Sequence, residues 1–166
     1  TNAHVVAGVE QPLVELPGRP AQEGRVVYFD PVADLAVVAV DGLDADPLTL
    51  APSLETGDPA AVQGYPHGGP FTSTGAEVLD VGPARIPESG GIGGGEREIY
   101  ALAASVRPGS SGGPVLSTGG DVVGVIFGRS EGGDDLAYGV TTTELTPVVA
   151  QAPELEAAVT PGACAD

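Results

Sequence analysis

The apolar residues of this chain come in short runs, and glycine and proline recur in the segments between them. Residues 35–40 and 122–127 are two such runs, and the 166 residues include 26 glycines and 16 prolines. Short apolar runs between turn-forming residues are typical of buried β-strands. We therefore expect an all-β protein with an aliphatic core, because aromatic residues make up only 4% of the chain.

One loop before such a run has a composition that suits nucleophilic chemistry. Residues 106–116 read V-R-P-G-S-S-G-G-P-V-L, so two serines lie among three glycines and two prolines. Glycine allows tight turns in which backbone N–H groups point to one place and stabilise a developing negative charge. A serine in that turn would be the nucleophile that creates the charge. A plain surface turn is the alternative for this stretch taken alone.

A histidine and an aspartate earlier in the chain supply the other groups that such a serine needs. His4 lies in T-N-A-H-V-V at residues 1–6, and Asp34 directly precedes the apolar run at 35–40. A serine hydroxyl needs a base to accept its proton, and the base needs a carboxylate that orients it. The chain provides these groups in the order histidine, aspartate, serine.

The three motifs resemble those of the chymotrypsin-fold serine proteases. The similarity is greatest to the bacterial periplasmic branch, with T-N-x-H-V-V, D-x-A-V and G-x-S-G-G-P, and within it to the membrane-anchored acid-resistance proteases of actinobacteria. The resemblance implies His4, Asp34 and Ser111 as catalytic residues, and the backbone N–H groups of Gly109 and Ser111 as the oxyanion hole. It implies an endopeptidase that acts on a peptide or protein substrate without a cofactor or metal.

Each catalytic position has a competitor in the sequence. The G-x-S-G-G pattern selects the second serine over Ser110. Asp34 is favoured over Asp30 because it directly precedes the apolar run, and we expect Asp30 to cap a turn. His67 is the other histidine, and its glycine-rich surroundings favour a surface position.

The resemblance also implies a substrate pocket built from three stretches. Ser105 stands six residues before the nucleophile, where relatives that prefer lysine or arginine carry an aspartate, which argues against that preference. Ser110 occupies the position of an aspartate that pairs with a new N-terminus in digestive relatives, so we do not expect activation by that ion pair. The predicted pocket residues are Ser105, Val106, Arg107, Pro108, Ile126, Phe127, Gly128, Arg129, Tyr138, Gly139 and Val140.

The implied architecture is a single protease domain of two six-stranded antiparallel β-barrels with a short C-terminal helix. The family places strands before the catalytic histidine, so we expect the first barrel to lack its N-terminal strands here. The one helical candidate covers residues 146–159. The expected divisions are a first barrel at 1–45, a connection at 46–59, a second barrel at 60–146, and a helix and tail at 147–166.

Charge and cysteine content narrow the expected partners and location. The net charge is −17, from 23 acidic residues against six arginines, which excludes a basic nucleic-acid-binding surface. No apolar run approaches the roughly 18 residues of a membrane span. We therefore expect attachment to the membrane only through a region upstream, with the domain on the periplasmic or extracellular side. An unpaired Cys164 in an exported protein predicts a disulfide with a cysteine upstream of Thr1.

Two other functions fit the same residues. One is a broader quality-control protease of the same fold, assembled through parts outside this chain. The other is a catalytically inactive, truncated protease domain that serves as a binding or regulatory module. A complete set of histidine, aspartate and serine argues against the second.

Overall fold

The computed structural model describes residues 1–132 and 135–164, and β-strands make up most of their regular secondary structure. The predicted all-β class with a short C-terminal helix is confirmed. Two 3-10 turns lie at Pro66–Gly68 and Ala152–Glu154. The helices and strands are α1 (Ala3–Val6), β1 (Leu13–Val14), β2 (Gln22–Glu23), β3 (Arg25–Asp30), β4 (Leu35–Ala39), β5 (Pro59–Gly64), β6 (Thr72–Arg85), β7 (Glu96–Ala103), β8 (Pro114–Leu116), β9 (Val122–Arg129), β10 (Leu136–Thr141) and α2 (Thr142–Gln151).

Strands β5 to β10 form a closed antiparallel barrel in the order β10-β7-β6-β5-β8-β9. Apolar side chains fill its interior, and Tyr100, Leu102 and Val115 are fully buried there. The Tyr100 hydroxyl accepts a 2.8 Å hydrogen bond from the N–H of Leu54 and donates one of 3.2 Å to the carbonyl of Val123. This buried hydroxyl therefore ties the segment before β5 to the barrel.

The residues before the barrel pair as two separate hairpins, β1–β2 and β3–β4. β4 packs on the barrel and on α2, because Leu35 shares a buried cluster with Val140 and Leu145. An open groove of about 790 Å³ lies beside the hairpins, and most of its lining is aliphatic, including Val38 and Leu43. In the described ranges the first half is thus an open arrangement with an apolar groove, whereas the second half is a closed barrel.

The C-terminal helix begins earlier than the sequence indicates. It starts at Thr142, because the side chain of Thr141 accepts a hydrogen bond of 3.3 Å from the N–H of Thr143 and so caps the helix. It ends at Gln151, where a 3-10 turn with a proline follows, so the predicted helix at 146–159 is wrong at both ends. The last two residues of the predicted tail lie outside the described ranges.

Candidate active site

His4 and Asp34 form a directly bonded pair where α1 meets the turn before β4. Nδ1 of His4 lies 2.8 Å from Oδ2 and 3.0 Å from Oδ1 of Asp34, and the backbone N–H of His4 donates to Oδ1 at 2.9 Å. The Asp34 side chain is 4% exposed and that of His4 is 30% exposed. The carboxylate therefore holds the imidazole through Nδ1, and Nε2 has no hydrogen-bond partner among the described residues.

The backbone of Asp34 is left-handed, with a φ of 54°. Few residues other than glycine adopt this conformation, although aspartate accepts it more readily than most. Hydrogen bonds to the carbonyl of Asp34 and to that of the preceding residue hold this conformation. Nδ2 of Asn2 donates a 3.0 Å hydrogen bond to the carbonyl of Asp34, and Nη1 of Arg97 donates to the carbonyl of Ala33. Backbone strain of this kind persists where several surrounding contacts fix the residue, and it is common at functional sites.

The two candidate aspartates have different partners. Oδ1 of Asp30 accepts hydrogen bonds of 2.9 Å from the N–H groups of Val32 and Ala33, so this carboxylate caps a turn. Asp34 bonds to the histidine instead. The structure thus places the Asp30 carboxylate within a turn and the Asp34 carboxylate against the imidazole of His4.

The loop that carries Ser111 is fixed by its own backbone. The N–H of Ser110 donates to the carbonyl of Arg107 at 3.0 Å, and the N–H of Gly113 donates to the carbonyl of Ser110 at 3.0 Å. The N–H of Ile126 donates to the carbonyl of Gly113 at 2.9 Å, which joins the loop to β9. Ser110 is 5% exposed, whereas Ser111 is only partly buried. The buried serine supports the loop and the other faces outward.

Two backbone N–H groups of this loop have no acceptor among the described residues. They belong to Gly109 and Ser111. Gly109 has a φ of 93°, and the carbonyl before it, that of Pro108, accepts a 2.7 Å hydrogen bond from the N–H of His67. Because the carbonyl and N–H of a trans peptide point in opposite directions, this bond leaves the Gly109 N–H free to bind an anion.

The backbone N–H of His67, and not its ring, makes this hydrogen bond to the serine loop. Its φ is 55°, the residue is exposed, and no carboxylate of the described ranges bonds to the imidazole. The structure therefore places the second histidine at a surface turn beside the serine loop.

A buried asparagine joins the two parts of the site. Asn2 is fully buried, and its Oδ1 accepts a 2.7 Å hydrogen bond from the N–H of Gly112, which directly follows Ser111. Its Nδ2 bonds to Asp34, as described above. The sequence motif by itself predicts no role for Asn2. The only available signal was its place in the histidine motif, which does not reveal its partners.

A buried arginine lies beside the histidine–aspartate pair and was also missed. Arg97 is 4% exposed, and its Cζ lies 4.7 Å from the centroid of the Phe127 ring. Burial lowers the pKa of Arg97, and the negative charge of Asp34 opposes that effect. Its Nε is buried without a hydrogen-bond partner in the described ranges. Nothing in the local sequence of β7 distinguishes this arginine from a solvated one.

The structure brings six of the eleven predicted pocket residues into one cavity of about 180 Å³ beside Ser111. Ser110 completes the lining. Apolar side chains form the walls and two exposed arginines lie at the edge. The six residues are Val106, Arg107, Pro108, Ile126, Gly128 and Arg129.

The other five predicted pocket residues do not line this cavity, and Ser105 is among them. Phe127 lines a neighbouring cleft with His4 and stacks on Tyr138 at a centroid distance of 6.3 Å. Val140 is fully buried in the core, so its inclusion in the pocket is corrected. Gly139 packs inside the barrel wall, because a Cβ there would lie 3.3 Å from Cγ2 of Val115.

Within the described ranges, no group of three or more histidine, cysteine, aspartate or glutamate side chains is arranged to bind a metal ion.

Known proteins are similar to this chain in sequence and in fold. The model of the trypsin-like peptidase domain matches residues 1–125. The serine protease Rv3671c of Mycobacterium tuberculosis (strain ATCC 25618 / H37Rv) is 36% identical over 161 residues, which cover 91% of this chain and 38% of that relative. A probable periplasmic serine endoprotease of Pseudomonas fluorescens, described as DegP-like, is 31% identical over 137 residues, which cover 80% of this chain and 28% of the relative.

A solved structure agrees with these sequence matches. The crystal structure of the Rv3671c protease in its active form superimposes with a TM-score of 0.91 at 34% identity, covering 100% of this chain and 73% of that one. The chain therefore matches the protease fold throughout, and it spans 38% of the length of the curated Rv3671c sequence.

Proposed function

The chain belongs to the trypsin-like peptidase family, and we propose on that basis that it is a serine endopeptidase. The observation that carries the proposal is the 2.8 Å contact between Nδ1 of His4 and Oδ2 of Asp34. This contact supports the assignment of His4 as the base and Asp34 as its orienting carboxylate. Ser111 is the proposed nucleophile.

In the proposed first step, Oγ of Ser111 attacks the carbonyl carbon of the scissile peptide while its proton passes to Nε2 of His4. Asp34 stabilises the resulting imidazolium through Nδ1. The N–H groups of Gly109 and Ser111 bind the oxyanion, and one such donor typically lowers the barrier by about 2.7–4 kcal/mol. When the C–N bond breaks, His4 returns its proton to the leaving amine.

The second step releases the acyl group. A water molecule gives a proton to His4 and attacks the acyl-enzyme carbonyl. The ester bond breaks, the proton returns to Oγ of Ser111, and the product leaves as a carboxylic acid. These residues are sufficient for both steps, so the proposed mechanism needs no cofactor.

Labelling with a fluorophosphonate tests the proposal. We expect mass spectrometry to place the adduct on Ser111, and Ser111→Ala to abolish both labelling and turnover. Ser110→Ala is the matched control, which should still be labelled. An adduct on Ser110, or turnover by Ser111→Ala, would overturn the assignment. Absence of labelling in the unaltered protein would favour the inactive binding module.

We further propose that the domain acts on the periplasmic or extracellular side of the membrane, tethered by an upstream region. A relative described as a periplasmic endoprotease supports this location. No helix in the described ranges has the length and apolar character needed to cross a bilayer. The sequence resemblance supports a role in stress or acid resistance. Survival of the cells at low pH, after deletion of the gene that encodes this protein, tests that role.

The open first half supports the proposal that upstream strands complete the first barrel. The groove of about 790 Å³ is lined mainly by aliphatic side chains that such strands would bury. The C-terminal tail lies close to the N-terminal segment, because a Cβ at Gly8 would be 2.5 Å from Sγ of the exposed Cys164. We propose that this thiol pairs with an upstream cysteine. Peptide mapping of the natural protein without reduction tests the bond, and a free Cys164 thiol would count against it.

A further inference from the structure

Two exposed aromatic side chains stand next to Ser111. Tyr65 is 45% exposed and Phe71 is 54% exposed, and their rings pack edge to face with centroids 5.6 Å apart. The chain has only four tyrosines, three phenylalanines and no tryptophan. A contiguous exposed apolar surface often marks a site of interaction. The core does not need them, since neither ring is buried.

The pair lines two adjoining cavities on one side of Ser111. The nearer cavity has a volume of about 290 Å³ and is also lined by Gly109, Ser111 and Gly112. The farther cavity, of about 680 Å³, has Leu13 among its lining residues. Ser111 is the only residue that the nearer cavity shares with the predicted substrate pocket beside Arg107 and Ile126. The two sites therefore flank the nucleophile on different sides.

The loop that carries the rings is held against the loop that carries the serine. The N–H of His67 donates to the carbonyl of Pro108 at 2.7 Å. The carbonyl of Tyr65 would lie 2.7 Å from a Cβ on Gly109, so these backbones are in close contact. The aromatic pair therefore has a fixed position relative to the unbonded N–H groups of Gly109 and Ser111.

We propose that Tyr65 and Phe71 form the subsite for the part of the substrate that leaves with the amine. This inference rests on the proposed endopeptidase function. If the residue before the scissile bond enters the pocket beside Ile126, the chain must continue across Ser111 into the nearer cavity. The subsite selects peptides with a large apolar or aromatic side chain in the first two positions after the cleaved bond.

The test compares substrates that differ only after the cleaved bond. The acyl half is chosen by screening peptide p-nitroanilides, which have no amino acid after that bond. Two internally quenched peptides then carry this acyl half followed by Leu-Phe or by Gly-Ser. We expect kcat/KM to be about tenfold higher for the Leu-Phe peptide. This ratio should fall towards one in Tyr65→Ala and in Phe71→Ala.

Two matched variants distinguish the effect of the aromatic rings from the general effect of a surface substitution. Tyr65→Phe keeps the ring and should keep the ratio. Leu79→Ala removes a comparably exposed apolar side chain, 47% exposed on β6, and should keep both the ratio and the activity. A ratio near one in the unaltered protein, or a ratio retained in both alanine variants, would overturn the inference.

A binding measurement keeps this inference separate from the proposed function. Failure to turn over any p-nitroanilide or peptide would count against the endopeptidase activity alone. In Ser111→Ala, titration with the amide Leu-Phe-Gly-NH₂ should shift the NMR ring signals of Tyr65 and Phe71, whereas Gly-Ser-Gly-NH₂ should not. Equal responses to both peptides, or shifts confined to other aromatic rings, would overturn the subsite.

Discussion

Oδ1 of Asn2 accepts a 2.7 Å hydrogen bond from the backbone N–H of Gly112, a residue 110 positions away in the chain. The same side chain donates to the carbonyl of Asp34. One buried amide thus connects the turn that carries Asp34 to the loop that carries Ser111. The N–H of Gly112 also donates to the carbonyl of Ile126 at 2.9 Å, so the serine loop is held both by the asparagine and by β9.

Replacing Asn2 by alanine should reduce both stability and turnover. The substitution removes the donor from the buried carbonyl of Asp34, a loss that costs about 1–3 kcal/mol of unfolding free energy. It also removes one of the two acceptors of the Gly112 N–H, so the serine loop is held less firmly and kcat/KM should fall. Urea unfolding and peptide hydrolysis measure the two effects.

The matched control for Asn2→Ala is Gln22→Ala. The Gln22 amide makes one exposed hydrogen bond of 3.4 Å, to the carbonyl of Asp41. Its removal should change the unfolding free energy by less than about 0.5 kcal/mol. Equal effects of the two substitutions would show that the buried amide has no special role.

The substitution Asp34→Asn should lower kcat by about 10⁴-fold, because an amide favours the wrong tautomer of the imidazole. The size of the side chain is unchanged, so the fold should be retained. Steady-state hydrolysis and the rate of fluorophosphonate labelling measure the loss. Asp30→Asn changes a carboxylate that bonds only within a turn and to a tyrosine hydroxyl. A comparable loss in that control would contradict the assignment.

An alanine at position 109 should disturb the proposed oxyanion hole. A Cβ there would lie 2.7 Å from the carbonyl oxygen of Tyr65 and 3.1 Å from the backbone nitrogen of His67, so the loop must move. Displacing one donor should lower kcat by about 10²–10³-fold. Titration with a fluorophosphonate inhibitor gives the concentration of active sites, and hydrolysis of a peptide substrate then gives kcat for the variant.

Gly120→Ala controls for backbone strain in this experiment. Gly109 and Gly120 have similar φ angles, 93° and 88°, but a Cβ on Gly120 meets nothing within 4 Å. The control should lose some stability and keep its turnover. If both variants lose turnover alike, strain alone accounts for the effect and the contact with Tyr65 does not matter.

The stability of the protein should depend on Glu98 in a pH-dependent way. Its Oε1 accepts hydrogen bonds of 2.7 Å from the hydroxyls of Thr143 and Thr141, and these bonds lower the pKa of Glu98 from its ordinary value of 4.5. A lowered folded-state pKa contributes stability that is fully present above about pH 4.5 and is lost as pH falls through the folded value. Glu98→Gln should therefore lower the urea midpoint at pH 7.

The difference in urea midpoint between Glu98→Gln and the unaltered protein should shrink as the pH falls below about 4.5. Unfolding curves recorded between about pH 7 and pH 3 measure it. Glu77→Gln changes an exposed glutamate of β6 whose side chain has no hydrogen-bond partner among the described residues, and it should show no such difference. A constant difference for Glu98→Gln at every pH would exclude the ionised carboxylate as its source.

The strands and the motifs could be read from the sequence because they depend on local chemistry. Apolar runs between turn formers predict strands, and the all-β class is confirmed. The motifs around His4, Asp34 and Ser111 indicated the family, because each is a short stretch of specific residue types. The start of α2 was missed, since it depends on whether Thr141 ends a strand or caps a helix.

The contacts that complete the site depend on residues far apart in the chain. Asn2 reaches partners 32 and 110 positions away, and Arg97 bonds to a carbonyl 64 positions before it. The pairing of Tyr65 with Phe71 depends on the path of a loop that contains a left-handed His67. Residue types near each position reveal none of these contacts, because burial and hydrogen bonding arise only when the hairpins pack on the barrel.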